Sequence, residues 1–229
     1  MAHMQSIIAY LGNYDRDIAN AAKKDLLLQR KKAIPYLVAA LTTSDKKIVA
    51  EIALLLGLFR KDAADAVEAL VTISYINNPT IRANAIASIG LIAEKAAVCI
   101  PVLRRHMKDS DVNIRRHAVA AIGVFEHAAS SAVYELVNAL KDEDAVVREF
   151  AAGILHELGS VPLSLVKQIV IALKNADPFV RHPIVRLLGK IRADTGLTIA
   201  ELVSCEKVTP SYDDLQVKHQ TFQQYAAVG

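Results

Sequence analysis

The chain has 229 residues, of which 53% are apolar, 22% charged and 5% aromatic, and its 27 Lys plus Arg against 24 Asp plus Glu give a net charge of +3. This apolar content excludes a disordered chain, nine Gly and seven Pro exclude a collagen-like or low-complexity one, and +3 is too small to signal nucleic acid by itself. A mean hydropathy of +0.27 raises a membrane span, but uncharged runs such as 52–59 and 85–93 are far shorter than the roughly 18 residues a spanning helix needs.

The opening Met1-Ala2-His3-Met4 reads as a cloning remnant ahead of a start at Met4. Ile7, Ile8 and Leu11 follow, and form an apolar edge if no earlier repeat covers them. Then one pattern recurs. It begins at Asp15 with Ile18 and returns at Asp45 with Ile48, 30 residues on (45 − 15). It continues as Asn78-Pro-Thr-Ile-Arg82, Asp111-Val-Asn-Ile-Arg115, Asp144-Ala-Val-Val-Arg148 and Asp177-Pro-Phe-Val-Arg181, each starting 33 residues after the one before (78, 111, 144, 177). Self-similarity at such a period is the signature of stacked repeats.

Each copy reads as two antiparallel helices. Counting from the Asp or Asn, apolar residues at +3, +7, +8 and +11 keep helical spacing, as in Ile114, Ala118, Val119 and Ile122. The zero-position side chain can cap the helix by accepting its orphan N–H groups, and Pro79 and Pro178 stand where Pro is tolerated, at the first helical position. Glycines at +12, Gly57, Gly90, Gly123 and Gly189, cost about 1 kcal/mol each in a helix, so their recurrence predicts close helix–helix approach. A second apolar pair at +22 and +25, for example Val67 and Leu70 or Ile100 and Leu103, marks the other helix. Beyond residue 206 the pattern fails, and 207–229 is expected to be a capping helix or tail.

The Asp-x-x-Val/Ile-Arg-x-x-Ala-x-x-Ile/Leu-Gly pattern resembles that of HEAT-repeat proteins, similar to the short bacterial repeats of phycobilisome-lyase-type families. The resemblance covers residues 5–206 and implies an all-α, right-handed α-solenoid of about six antiparallel helix pairs on a 33-residue period. It also implies that the helices opened by Asp or Asn line the concave side. Such solenoids serve many tasks, so fold alone does not assign one.

Candidate chemistry is sparse. The Arg column, Arg82, Arg115, Arg148 and Arg181, runs beside Asp111, Asp144 and Asp177, and the resemblance implies a structural Asp/Arg ladder. The basic group Arg104, Arg105, His106, Lys108, Arg115, Arg116 and His117 could meet phosphates, but its first half is expected on a solvated face with no aromatic rings for base stacking. Deoxyhypusine hydroxylase, a HEAT-like protein, holds iron on His-Glu pairs after the Val-Arg motif. Here Arg181-His182 precedes Pro183, Arg148 precedes Glu149 without a His, and Arg115-Arg116-His117 precedes Ala118, so the pairs are missing. His156-Glu157 opens like a zinc-protease helix, but Ser160 stands where the second His belongs. Cys99 and Cys205 lack a reactive setting, and with no leader evident a reducing cytoplasm is the expected compartment. No catalytic residue, metal or cofactor is expected.

The stripe left over carries the functional expectation. Positions +6, +9 and +13 supply Leu54, Leu58, Asn84, Leu91, His117, Val124 and Phe150, then Glu157, Arg186 and Lys190, an apolar part followed by a charged one. Apolar residues where a solvated helix would carry charge point to a concave surface for a partner segment. The first reading is therefore a non-enzymatic protein-binding scaffold or adaptor. The alternatives are a bilin-lyase-type chromophore-handling protein, implied by the repeat type alone, and a phosphate-backbone binder using the basic group. A protein partner is expected, nucleic acid and membrane are not, and a terminal repeat or the tail is a candidate surface for a homodimer.

Overall fold

The computed structural model describes residues 2–174 and 176–191. Twelve α-helices fill these residues: α1 (Ala2–Tyr10), α2 (Arg16–Leu28), α3 (Ile34–Ala40), α4 (Lys46–Leu58), α5 (Val67–Ile73), α6 (Pro79–Ile92), α7 (Ala96–His106), α8 (Val112–Val124), α9 (Val133–Ala139), α10 (Ala145–Leu158), α11 (Leu163–Lys174) and α12 (Pro178–Ile191). The 207–229 segment, expected as a capping helix or tail, and Cys205 fall outside the described residues. His3 and Met4 belong to α1, and Met4 is buried.

The caps explain where the even-numbered helices begin. Asp15 accepts from the Asp17 amide, Asp45 from Lys47 and Ile48, Asn78 from Ile81, Asp111 from Asn113, Asp144 from Val147, and Asp177 from Phe179 and Val180. Each bond satisfies an amide that has no carbonyl partner within its helix. The same helices stop at a left-handed residue that sequence patterning did not reveal. Arg30 (φ 47°), Arg60 (φ 55°), Ala93 (φ 54°) and Glu126 (φ 47°) hold a conformation that glycine usually supplies, and among the described residues only α10 ends on a glycine, Gly159 (φ 67°). Short 3-10 turns at Arg30–Lys32, Arg60–Ala66 and Glu126–Ala132 then lead into α3, α5 and α9.

The chain divides into two compact units, with the division inside α8 between Ala121 and Ile122. In the first unit α4 packs on α6, α3 on α4, α5 on α6, α1 on α2 and α3, and α5 on α7. Ile52, Leu55, Leu56, Leu70, Ile86, Ile89 and Leu103 are almost wholly buried between them, each contributing about 1.5–3 kcal/mol by transfer from water. Two glycines make the expected close approaches: a Cβ on Gly57 would lie 2.9 Å from Ser88 Cα, and one on Gly90 would lie 2.8 Å from Ala121 Cβ. The α6 helix also reaches across to carbonyls of α4, with Asn84 Nδ2 donating to Ala50 (2.9 Å) and Ser88 Oγ to Ala53 (2.7 Å). Ile7, Ile8 and Leu11 do not form an edge. All three are buried, because α1 folds back on α2 and α3.

In the second unit α10 packs on α9 and α12, and α11 on α9 and α12. Leu136, Val137, Val147, Ala151, Leu155, Ile169, Ile184 and Leu187 form its core. Nothing lies within 4 Å of a Cβ placed on Gly153 or Gly189, so the glycine rule of the first unit does not extend to α12.

Candidate binding surface

The Arg column is occupied with its own turns. Arg82 donates to the Ile76 carbonyl and pairs with Asp109, Arg115 donates to the carbonyls of Asp109 and Ser110, Arg148 to those of Asp142 and Glu143, and Arg181 to that of Ala176. Arg148 also pairs with Asp177 across one repeat, at 3.2 Å. A guanidinium whose fork is spent on carbonyls five or six residues earlier fixes the approach to its helix and leaves few donors for a ligand.

The basic group on α7 and α8 does not form one patch. His106 is buried, Arg115 is buried, Arg104, Arg116 and His117 are half-buried, and exposed Arg105 lies 4.9 Å from the Tyr75 ring centre. The expectation that 104–108 lies on a solvated face fails at His106 and Met107, which are buried. His106 Nε2 is 3.2 Å from Ser74 Oγ and Nδ1 3.5 Å from Asp109 Oδ2, with Tyr75 against the ring. Burial lowers the His106 pKa despite Asp109. Burial also resists ionisation of Asp109, but the Asp111 amide and Arg82 outweigh it, so this carboxyl stays below its usual range.

His106 and Asp109 are only three residues apart, but the Ser74 hydroxyl comes from 32 residues earlier, and no local pattern brings it to them. This Ser-His-Asp arrangement does not present a nucleophile: Ser74 is fully buried and its hydroxyl lies 2.7 Å from the Val71 carbonyl, to which it donates. Cys99 is equally enclosed, and burial pushes its thiol up to about 11, away from the thiolate that reactivity requires. His156 Nδ1 is 3.1 Å from Glu157 Oε1. Among the described residues no group of three His, Cys, Asp or Glu is placed to hold a metal ion, and no helix is long and apolar enough to cross a membrane.

The expected partner stripe divides by burial. In the first unit Leu58 is 44% exposed, Leu54 and His117 are half-buried, and Leu91 is only 5% exposed and part of the core. Asn84 spends its amide on α4. Burial, with Arg116 adding to it, lowers the His117 pKa. In the second unit Phe150 is buried, Val124 is half-buried, and Glu157 and Arg186 are exposed. The Lys190 side chain lies outside the described residues.

One exposed residue was missed. Leu28, 13 positions after Asp15, is 71% exposed at the end of α2, in the column that continues with Leu58. Counting from the first, shorter copy would have found it. Leu28 and Leu58 each lead directly into a basic turn, Arg30-Lys31-Lys32 and Arg60-Lys61. These two ends are neighbours: Lys23 on α2 pairs with Glu51 on α4 at 2.7 Å, and Lys31 pairs with Asp62 at 2.9 Å.

Stacked capped and uncapped helices of this kind define an armadillo/HEAT-like all-α solenoid fold, and solved structures show it. The chain is similar to an engineered protein at 21% identity, over 84% of this chain and 98% of that one, with a TM-score of 0.62. It is similar to the designed armadillo repeat protein YIII(Dq.V1)4CPAF, solved in complex with peptide (KR)4, at 15% identity over 82% and 98% of the two chains, TM-score 0.63. A third likeness is to YibA of Escherichia coli, at 20% identity over 80% and 69%, TM-score 0.61. No family model matches the chain, and no curated protein matches its sequence.

Proposed function

We propose that this chain is a non-enzymatic scaffold or adaptor, built from HEAT-like helix pairs on a 33-residue period with a right-handed wind, that captures a segment of a protein partner on the face of its Asp-capped helices. The observation that carries this reading is the exposed apolar column, Leu58 with half-buried Leu54 on α4, where a solvated helix would carry charge. The designed armadillo repeat protein solved in complex with a peptide supports it, since that protein has a similar fold. In the second unit Glu157 and Arg186 supply exposed polar groups on the same helix type.

Selection from a displayed random-peptide library tests the proposal. The wild-type chain enriches a peptide family, and Leu54→Glu with Leu58→Glu loses it while far-ultraviolet circular dichroism and melting temperature stay close to wild type. No enriched family, or one retained by that variant, overturns the assignment.

A further inference from the structure

The ends of α2 and α4 differ from every other capped-helix end described. Their last-turn leucines, Leu28 and Leu58, are 71% and 44% exposed, and the residues that follow are basic. The next capped helix, α6, ends on Leu91 and Ile92, both buried, and its turn carries Glu94 and a Lys95 held by Glu68 at 2.9 Å. Cations after a helix C-terminus offset its partial negative charge, and that accounts for one or two of them. It does not account for the exposed leucines beside them.

The charge at this edge is only partly compensated, with seven cations (Lys23, Lys24, Arg30, Lys31, Lys32, Arg60 and Lys61) against four acids (Asp25, Glu51, Asp62 and Asp65). Lys31 is held by Asp62 and Lys23 by Glu51, whereas Lys24, Arg30, Lys32, Arg60 and Lys61 are exposed. Asp65 is the other exposed acid of the second turn. Asp25 is the one exposed acid on α2 near this end, about 100° around the helix from Lys24.

We propose that this edge of the first unit is a docking surface for an acidic peptide segment carrying apolar anchors, with Leu28 and Leu58 receiving the anchors and Lys24, Lys32, Arg60 and Lys61 meeting its carboxylates. The inference rests on the scaffold reading and names the chemistry of its partner. Charge complementarity selects acid, and the paired leucines select a peptide over a phosphate backbone. A nucleic acid has no use for the leucines and would need aromatic rings for its bases, whereas Phe59, the aromatic in these two turns, is buried.

Fluorescence anisotropy with defined probes tests it on the full chain: a labelled ten-residue peptide of alternating Glu and Leu, its Lys–Leu counterpart, an all-Glu peptide, a single-stranded oligonucleotide, and vesicles of phosphatidylcholine with phosphatidylserine. The Glu–Leu peptide binds at least tenfold tighter than the other two peptides, and added salt weakens it. Leu28→Ser with Leu58→Ser, and separately Lys32→Glu with Lys61→Glu, each weaken it at least tenfold, while Lys141→Glu, an exposed position in the second unit, leaves it unchanged. All these positions are on the surface, and an unchanged urea midpoint verifies folding. Equal binding by the edge variants, preference for the Lys–Leu peptide, or tighter retention of oligonucleotide or vesicles through the same lysines overturns the inference. Library-selected peptides that still bind the edge variants would sink this edge alone, whereas failure of every peptide, selected or synthetic, would sink the scaffold reading with it.

Discussion

Gly57→Ala is expected to destabilise the protein although it removes a glycine from a helix. The substitution gains about 1 kcal/mol of helix propensity. Against this, the new methyl would lie 2.5 Å from Ser88 Oγ and 2.9 Å from both Cα and Cβ of Ser88, where ordinary carbon contacts need about 3.5 Å or more. The hydroxyl can rotate away, but it then abandons its 2.7 Å bond to the Ala53 carbonyl, a loss of about 1–3 kcal/mol for a buried donor. The backbone Cα cannot rotate, so α4 and α6 must separate by about 0.6 Å or more, and overpacking of this kind costs about 1–3 kcal/mol. The net expectation is a loss of about 1–5 kcal/mol. Gly153→Ala is the matched control: nothing lies within 4 Å of its new methyl, so it should gain about 0.5–1 kcal/mol from propensity alone. Urea denaturation followed by circular dichroism, with slopes compared as well as midpoints, reads both. A Gly57→Ala variant as stable as wild type, or a Gly153→Ala variant that falls as far, refutes the close-approach argument.

Ala93→Gly should stabilise the chain by about 0.5–1 kcal/mol, because residue 93 sits at φ 54° and ψ 30°, where an L side chain is strained and glycine is not; a lower melting temperature would contradict this. Asp109→Ala strands Arg82, whose side chain is 16% exposed, and should cost about 2–4 kcal/mol, with a loss below about 1 kcal/mol showing that solvent screens the pair. Acid should weaken the fold through His106 and His117, whose folded pKa values lie below the unfolded one near 6.5. Between the folded and unfolded values the unfolded chain binds more protons, so stability is full above about 6.5 and falls as the pH drops through that window, by up to about 1.4 kcal/mol per pH unit per histidine. Around His106 stand Asp109, Arg82, Arg105, Tyr75 and Ser74, so His106→Asn should flatten the urea-midpoint profile between pH 7 and 5; an unchanged slope would remove His106 from the account.

Local chemistry made much of this fold legible in one dimension. A cap is a contact between a side chain and amides two or three residues away, so Asp15, Asp45, Asn78, Asp111, Asp144 and Asp177 could be read directly as helix starts. Buried stripes could be read because helical geometry converts spacing into direction, as at Ile86 and Ile89. Exposure could not be read in this way. Leu91 and Leu58 occupy the same place in the repeat, yet one is 5% and the other 44% exposed, because exposure depends on what neighbouring helices happen to cover. Likewise nothing local announces that Ser74 meets His106, 32 residues on, or that Arg30 and Arg60 turn left-handed.

Periodicity along the chain thus settled the helix pairs, their caps and their inward faces, all of which follow from interactions within a few residues. Packing between helices settled which columns are core and which are surface, and so moved the candidate site from the middle of the expected stripe to its first two helix ends. Leu28 and Leu58 stay open to solvent there, while Leu91, at the same place in its repeat as Leu58, is buried.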